Sequence, residues 1–244
     1  MVTRSKNNIH KPITKLSLTC VKSSPQAEPT CVSQAIKISE WRRAMSDKFD
    51  ALIKNGTWVL VPPHTSHNIV RCKWVFCIKR SLDGSISRHK ARLVAKGFHQ
   101  RLGIDYTDTF SPVVKTTTIH VLLSVAVTRG WPLRQPDMNN AFLQGHLAED
   151  VFVAQPLGFV DPAFPSHVCR LQRAIYGLKQ APRAWYNKLR QFLVHNGFVN
   201  SGSDTSLFIF NANGCVMFLL VYVDDIIVTG SDGKFVDKFI SSLA

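Results

Sequence analysis

The sequence has no uninterrupted apolar run of the roughly 18 residues that a membrane-spanning helix requires, so an integral membrane protein is not expected. It has no CxxC pair and no Cys/His cluster at zinc spacing, and its six cysteines are scattered, which favours a reduced intracellular protein. It also lacks a GxSxG motif and a P-loop, so nothing supports a serine hydrolase or a P-loop nucleotide hydrolase.

Acidic residues are scarce in the first part of the chain. Residues 1–100 contain 18 Lys and Arg against 5 Asp and Glu, a net charge of +13, whereas residues 101–244 contain 12 against 11. The whole chain carries a formal charge of +14. Such a basic front half favours a polyanionic partner, most commonly nucleic acid; a generically soluble basic surface is the alternative.

Periodicity predicts an α+β domain in which helices and strands are interleaved. Residues 1–40 are rich in Lys, Ser, Thr, Asn and Pro and are expected to form a flexible arm or linker, with ordered structure beginning at Glu40. The expected helices cover about 40–55, 116–129 and 181–196, and a further helix contains Phe235 and Phe239. The expected strands are 57–63, 73–79, 91–95, 151–154, 167–172, 205–210, 215–223 and 226–228.

Two adjacent acids, Asp224 and Asp225, interrupt the most apolar part of the chain. Residues 215–223 precede them and residues 226–228 follow, which predicts a hairpin with carboxylates at its tip. Carboxylates are costly to bury among Val, Ile and Leu, so a cation or a polar opening is expected beside them. An ordinary tight turn that happens to contain two acids is the alternative.

A third acid, Asp137, stands where a short strand is expected to emerge after a helix. Metal-assisted phosphoryl transfer uses carboxylates from separate strands to hold two divalent ions about 3.5–4 Å apart. Asp137, Asp224 and Asp225 are therefore candidates for one metal site, although their spacing in the sequence does not by itself require them to converge.

The segments around these acids resemble the reverse transcriptase of copia-type long-terminal-repeat retrotransposons over roughly residues 40–244. In chain order they are TWVLVPP, KWVFCIKRSLDGSISRHKARLVAKGFHQ, DYTDTFSPVVK, NNAFLQG, QPLGF, AIYGLKQAPRAWY, SDTSLF and LVYVDDIIVTGS. YVDD is a moderate signal by itself, whereas the whole ordered set is specific. The resemblance implies a right-hand polymerase fragment with fingers at about 55–110 and 145–177, and a palm at about 111–144 and 178–244.

In such enzymes the Asp that opens the first palm motif and the YVDD pair bind two magnesium ions. The resemblance thus implies that Asp137, Asp224 and Asp225 hold two Mg²⁺, or Mn²⁺ in its place, with the Met138 carbonyl as a further ligand. The implied reaction is RNA-directed DNA synthesis: a primer 3′-hydroxyl attacks the α-phosphate of a deoxynucleoside triphosphate.

The resemblance also implies contacts to the nucleotide. Arg92, with Lys90 or Lys79 nearby, takes the fingers position that contacts the triphosphate, where the bidentate geometry of Arg suits phosphate oxygens. Phe142 takes the position of an aromatic ring that lies under the sugar and excludes a 2′-hydroxyl. Ordinary core packing is the alternative for Phe142.

Tyr176 and Gly177 are expected to lie against the incoming base and the template, with Gly177 allowing a close backbone approach. Lys179 is expected to reach phosphate, and a surface lysine is the alternative. The implied partners are an RNA or DNA template-primer and deoxynucleoside triphosphates, with other Gag or Pol polypeptides and no membrane.

Three residues depart from the family pattern. Pro136 precedes Asp137 where Leu is usual, and because proline lacks an N–H it is expected to remove a ladder hydrogen bond beside the metal site. Lys48 and His146 stand where acids are typical; Lys48 is expected to be a surface change, and His146 to lie close to the active cleft. Family members continue beyond Ala244 into a thumb and an RNase H domain, so the chain alone is expected to be inactive.

Two functions of other classes stay open. A non-catalytic remnant of a decayed element would bind nucleic acid through the basic front half, independently of Asp224. A metal-dependent phosphohydrolase would use the same acids and release nucleotide without extending a primer. The expected compartment is the cytoplasm or nucleus, and the basic, acid-poor start of the chain leaves an organelle open.

Overall fold

The computed structural model describes residues 28–136, 138, 141–212, 214–223 and 225–243. Within these residues the helices are α1 (Val32–Ala35), α2 (Ser39–Lys54), α3 (Thr116–Arg129), α4 (Ala181–His195) and α5 (Gly233–Leu243). The strands are β1 (Trp58–Val61), β2 (Ile69–Val70), β3 (Cys72–Arg80), β4 (Ile86–Ala95), β5 (Leu133–Arg134), β6 (Phe152–Ala154), β7 (Val168–Leu171), β8 (Val199–Asn200), β9 (Leu207–Ala212), β10 (Cys215–Tyr222) and β11 (Asp225–Gly230). None of the helices described is long and apolar enough to cross a bilayer.

The mixture of helices and strands confirms the α+β class. α2 buries Trp41, Met45 and Leu52, the apolar residues whose spacing predicts it. α3 ends at Gly130, which adopts the left-handed conformation (φ 63°) that glycine accepts without steric penalty. The local signals for the long elements therefore agree with the structure.

The strands form three sheets. The largest is antiparallel, with the order β5-β11-β10-β9-β8. A second sheet has the order β1-β7-β6-β2, in which only the β2–β6 pairing is parallel. The hairpin β3–β4 forms a sheet of its own, with register from Cys72–Ala95 to Arg80–Ile86.

The centre of the largest sheet is fully buried. Met217, Leu219 and Val221 on β10 and Ile226 and Val228 on β11 have no exposed surface. Full burial of an apolar side chain is worth about 1.5–3 kcal/mol, so this sheet is a principal source of stability. The acid at the start of β11 is consequently carried by a rigid support.

A buried carboxylate joins α3 to the loop before β9. Asp204 accepts hydrogen bonds from the backbone N–H of Lys115 (3.0 Å) and the hydroxyl of Thr118 (2.6 Å), at the beginning of α3. A carboxylate at a helix N-terminus satisfies free N–H groups and complements the helix dipole. This contact holds α3 beside the largest sheet and so directs the chain into β5.

β4 is joined to the rest of the domain by a close backbone contact. The N–H of Ala95 donates to the carbonyl of Tyr176 (2.7 Å), and Val94 forms an isolated parallel bridge with Tyr176. Gly177 has φ 88°, and a Cβ at this position would overlap the carbonyl oxygen of Ala95. This contact, which we call the β4 seam, requires glycine at 177.

Ordered structure begins before the predicted start at Glu40. Pro29 and Ala35 are buried, and α1 lies within the stretch expected to be a linker. The guanidinium of Arg42 donates to the carbonyl of Ile36 (2.9 Å), which ties this stretch to α2. Residues 1–27 of the predicted arm lie outside the described residues.

The two-residue strands β2 and β8 were not predicted, and a short strand was expected after a helix near Asp137, where the structure has β5 (Leu133–Arg134). An alternation of apolar and polar residues needs at least four positions to be recognised, so such strands leave no periodic signal. Pairing with a neighbouring strand determines whether such short strands form. β5, for example, is paired with β11 at two ladder positions.

Replacing Gly177 with Ala is expected to destabilise the protein by about 2–4 kcal/mol, because the positive φ and the overlap with Ala95 both penalise a Cβ. Chemical denaturation measures the change. Gly202→Ala is the matched control, since a Cβ there meets no atom within 4 Å, and it should change stability by less than about 0.5 kcal/mol. Equal stabilities for the two variants would contradict the requirement of the β4 seam for glycine at position 177.

Candidate active site

A cleft of about 820 Å³ lies between α2, the hairpin β3–β4 and the start of β11. Its described lining includes Lys48 of α2, Arg92 of β4, Met138, Tyr176 and Asp225. These residues come from five separated parts of the sequence, so the tertiary fold brings them together. Several residues of the site predicted from the sequence line this cleft.

The acid end of the cleft is formed by the hairpin β10–β11. Tyr222 pairs with Asp225, as expected for a hairpin that carries the acids at its tip. Val223 has φ 56°, and it alone among the described non-glycine residues has a positive φ. A β-branched residue in this conformation costs about 1–3 kcal/mol and persists only where its surroundings hold it.

Trp185 of α4 supplies part of that support. Its side chain is buried, and the indole N–H donates to the carbonyl oxygen of Val223 (2.8 Å). Helical periodicity accounts only for the place of Trp185 on the apolar face of α4, so its hydrogen bond to the hairpin is an addition from the structure. The backbone beside the acids is thus fixed by a group outside the hairpin.

Asp225 is exposed and faces the cleft, in agreement with the predicted polar opening. Its carboxylate accepts one long hydrogen bond from the amide nitrogen of Gln135 (3.5 Å). Asp137 and Asp224 lie outside the described residues. Met138, the described neighbour of Asp137, lines the same cleft as Asp225.

β5 leads from α3 toward this acid end. It pairs with β11 through Leu133–Thr229 and Arg134–Val228. Pro136 lies two residues beyond Arg134 and is half-buried. Because proline has no N–H, Pro136 cannot donate a ladder hydrogen bond, and the effect of this on the metal site stays a prediction.

The opposite wall of the cleft is basic. Register pairs Cys77 with Lys90 and Lys79 with Arg88, and side chains two positions apart along β4 share a face. Arg88, Lys90 and Arg92 are therefore aligned, and all three line the cleft together with Lys79. The structure brings the predicted triphosphate contacts together and adds Arg88 to them.

Two aromatic rings lie next to this basic wall, one in the cleft lining and one behind it. The guanidinium of Arg92 lies 5.9 Å from the ring centroid of Tyr176, within the range of a cation–π contact. The ring of Phe142 packs edge-on against Tyr176, with centroids 4.7 Å apart and planes at 78°. Phe142 is 6% exposed and does not itself line the cleft, so its contact with the cleft passes through Tyr176.

Sequence comparison identifies the family to which this chain belongs. A family model described as reverse transcriptase (RNA-dependent DNA polymerase) matches residues 55–244. The chain belongs to the reverse transcriptase family.

Three curated relatives are similar to this reverse transcriptase domain. The retrovirus-related Pol polyproteins from transposons RE1 and RE2 of Arabidopsis thaliana are each 52% identical over 245 residues, which covers 100% of the chain and 17% of each relative. The corresponding polyprotein from transposon TNT 1-94 of Nicotiana tabacum is 38% identical over 226 residues, or 91% of the chain and 17% of the relative. The chain thus spans about a sixth of the length of these copia-type Pol polyproteins.

Three residues discussed with the site lie outside the cleft lining. The close backbone approach at Gly177 is to β4, through the β4 seam. The ammonium of Lys179 donates to the hydroxyl of Tyr106 (2.8 Å), and the side chain is exposed. His146 was expected close to the cleft, but it is exposed and forms an isolated bridge with Arg173.

Lys48 was expected to be a surface residue, and this prediction is wrong. It is half-buried and lines the cleft. Burial, followed by the positive charges of Lys90 and Arg92, lowers the pKa of Lys48 to about 8. The sequence did contain the signal, since Lys48 falls at helical spacing between the buried Met45 and Leu52 of α2.

Replacing Trp185 with Phe is expected to destabilise the domain by about 1–2 kcal/mol, because the carbonyl of Val223 loses its donor. Trp74→Phe is a matched control: its indole N–H donates to the carbonyl of Leu157 (3.0 Å), away from the hairpin. Hydrogen exchange at the amides of Tyr222 and Asp225 should accelerate only in Trp185→Phe. Equal acceleration in both variants would show that Trp185 has no specific hold on the hairpin.

Lys48→Met is expected to raise the free energy of unfolding at pH 7 by about 1–3 kcal/mol, since it removes a partly desolvated charge beside other cations. The folded pKa of about 8 lies below the unfolded value. As the pH rises above 8, native Lys48 loses its proton before unfolded Lys48 does, so the parent gains stability and the difference narrows.

Denaturation of both proteins at pH 7 and pH 10 measures this difference. Lys54→Met, an exposed lysine at the end of the same helix, is the control and should show a small difference that is the same at both pH values. If the difference in the free energy of unfolding between Lys48→Met and the parent does not depend on pH, the half-buried position of Lys48 beside other cations is contradicted.

Proposed function

We propose that this domain carries out template-directed DNA synthesis from deoxynucleoside triphosphates, on an RNA or DNA template. The observation that carries the proposal is the cleft, in which Asp225 and Met138 lie across from Arg92 and Lys90. Carboxylates suit the metal ions that would bind the phosphate and the reacting hydroxyl, while Arg and Lys suit the triphosphate.

Within this proposal the sheets correspond to the fingers and palm subdomains of a right-hand polymerase. The hairpin β3–β4 and the sheet β1-β7-β6-β2 correspond to fingers, at about 55–110 and 145–177. The sheet β5-β11-β10-β9-β8, with α3 and α4, corresponds to the palm, at about 111–144 and 178–244. The β4 seam then joins the two segments of the fingers, at about 55–110 and 145–177.

The donor set fits two magnesium ions. Mg²⁺ prefers oxygen ligands from carboxylates, carbonyls and phosphates, and the carboxylate of Asp225 is exposed in the cleft, with a long hydrogen bond (3.5 Å) from Gln135. We assign the ligands to Asp137, Asp224 and Asp225 with the carbonyl of Met138. When bound, the ions lower the pKa of the primer 3′-hydroxyl and neutralise charge that develops on the phosphates.

The residues of the basic wall orient the nucleotide. Arg92 and Lys90 bind the triphosphate and leave its α-phosphate facing the acid end of the cleft. Tyr176 lies beside Arg92 and supplies an apolar surface for the sugar and base. The ring of Phe142 packs edge-on against the ring of Tyr176. We therefore propose that the selection against a 2′-hydroxyl depends on this pair of rings.

We propose that Pro136 lowers the catalytic activity that the acid end of the cleft can support. Proline at 136 has no N–H, so the approach to Asp137 has one hydrogen-bond donor fewer than a leucine at this position would supply. We propose that the chain alone is therefore weakly active or inactive and binds nucleic acid through its basic residues.

Primer extension on an RNA template tests the function. Asp225→Asn is expected to reduce extension by about 100-fold or more, because metal-ion charge stabilisation is worth several kcal/mol. Asp50→Asn, an exposed acid of α2, is the control and should leave extension unchanged. Pro136→Leu restores an N–H donor and should raise extension above that of the parent chain.

Circular dichroism confirms that each variant is folded. No extension by the parent or by Pro136→Leu, with both well folded, would overturn the polymerase proposal for this chain. In that case, salt-sensitive binding of nucleic acid that Asp225→Asn does not alter would identify a binding remnant.

A further inference from the structure

The turn that carries Tyr176 into the cleft is enclosed by the chain that leaves β4. This turn, residues 176–180, ends directly before α4, and we call it the cleft turn. A Cβ at Gly97 would overlap the carbonyl oxygen of Gly177, just as a Cβ at Gly177 would overlap that of Ala95. Two neighbouring parts of the chain, at 95 and at 97, thus pack directly against the backbone of the cleft turn.

A buried amide pair holds the far end of the cleft turn. Gln180 has no exposed surface, and Gln100 is 5% exposed. The amide nitrogen of Gln100 donates to the amide oxygen of Gln180 (2.9 Å), and the amide oxygen of Gln100 accepts from the backbone N–H of Lys179 (2.8 Å). Gln180 in turn donates to the backbone carbonyl of Asp105 (2.8 Å). These hydrogen bonds connect the cleft turn to the loop 97–106.

The loop that supplies Gln100 is itself held by buried hydrogen bonds. The carboxylate of Asp105 is buried and accepts from the backbone N–H of Arg101 (2.6 Å) and from the side-chain amide of Asn68 (2.5 Å). Buried polar groups are tolerated when they are hydrogen-bonded in this way. The loop is therefore a fixed support for the amide pair.

The chemistry of the pair indicates a positioning role. Contacts between apolar side chains are non-directional, so several arrangements of a turn can satisfy them. Buried amides must be paired, and a paired network fits one arrangement of the chain. Displacement of the cleft turn from the loop would leave the amides of Gln100 and Gln180 unpaired, and the cost of doing so opposes the displacement.

The near end of the cleft turn carries Tyr176, whose side chain lines the cleft. The β4 seam holds its backbone at Ala95. Its ring lies 5.9 Å from the guanidinium of Arg92 and 4.7 Å from the centroid of the Phe142 ring. With the seam at one end and the amide pair at the other, the cleft turn is held at both ends, and the position of the ring depends on both.

We propose that Gln100 and Gln180 are positioning residues for the sugar and base of the nucleotide. They lie behind the cleft turn and act through it on Tyr176. The inference rests on the proposed function for the nature of the ligand, and on the hydrogen bonds of the pair for the residues. Loosening the pair should weaken contacts with the sugar and base and preserve those of Arg92 with the triphosphate, because Arg92 belongs to β4.

The test compares two ligands in the full chain. Calorimetry measures the affinity for dTTP and for tripolyphosphate, which lacks the sugar and base, in the parent, Gln180→Met and Gln100→Met. Each variant should weaken binding of dTTP by roughly tenfold, the size of one lost contact between a base and an aromatic ring. Binding of tripolyphosphate should change by less than about twofold, since its contacts lie on a separate strand.

Gln155→Met is the matched control. The side-chain amide of Gln155 also bridges backbone groups, because it donates to the carbonyls of Phe164 (2.8 Å) and His167 (2.9 Å), in a separate loop. This variant should leave the affinities for both ligands unchanged. A loss of dTTP binding in Gln155→Met equal to that in Gln180→Met would overturn the inference.

A double variant tests whether Gln180 acts through Tyr176. Tyr176→Ala should weaken binding of dTTP, and Tyr176→Ala combined with Gln180→Met should bind dTTP as Tyr176→Ala does, because two changes on one route are not additive. Additive losses would show that Gln180 acts independently of the ring and would overturn the inference.

Hydrogen exchange in the parent chain supplies a readout that does not depend on a folded variant. The amide of Lys179 donates to Gln100 and therefore reports opening of the cleft turn. Bound dTTP should slow its exchange more than bound tripolyphosphate does. Equal slowing by the two ligands would contradict a link between the amide pair and the sugar and base.

The outcomes separate this inference from the proposed function. If Tyr176→Ala weakens binding of dTTP and neither glutamine variant does, the inference is overturned and the proposed function stands. If Gln180→Met weakens both ligands equally, its role is structural and the inference is likewise overturned. If the glutamine variants weaken dTTP alone and Arg92→Met weakens neither ligand, the inference stands and the proposed triphosphate contact is overturned. If the parent binds neither ligand, both are overturned.

Discussion

The close backbone approach of β4 to Tyr176 and Gly177 is the contact on which the site depends. The hairpin β3–β4 pairs with neither of the other sheets through a regular ladder, so the β4 seam, together with the packing of α2 against β4, determines where its basic face lies. Only glycine at 177 permits this approach, because any Cβ would overlap the backbone of Ala95. Through the seam, cations from one hairpin come to face the acid end of another.

Each wall of the cleft carries a local energetic cost. Val223 holds a positive φ beside the acids, and Lys48 is partly buried beside Lys90 and Arg92. Both are held by well-packed surroundings: Trp185 donates to the carbonyl of Val223, and the apolar stripe of α2 orients Lys48. Unfavourable local arrangements of this kind concentrate at functional sites, where a ligand or metal ion relieves them.

The sequence predicted the parts of this protein that repeat a local pattern. The periodicities of α2, α3 and α4 and the apolar strands around YVDD agree with the structure. Strands of two residues, such as β2, leave no periodic signal in the sequence, because pairing with a neighbouring strand determines them. The charge of Lys48 favoured a surface position although its place on the helical stripe favoured burial, and the hydrogen bond of Trp185 to the hairpin leaves no sequence signal. The grouping of Arg92, Tyr176 and Asp225 needed the resemblance as well as the pattern.

The central claim is that the acid end of the cleft binds the metal ion of the reaction. Paramagnetic line broadening tests it directly, with substoichiometric Mn²⁺ added to the isotopically labelled chain. If the acid end binds the metal ion, the amide resonances of Tyr222, Asp225 and Met138 broaden first, and Asp225→Asn abolishes the effect. Broadening centred instead on the acids Glu149 and Asp150, with Met138 and Asp225 unaffected, would contradict it.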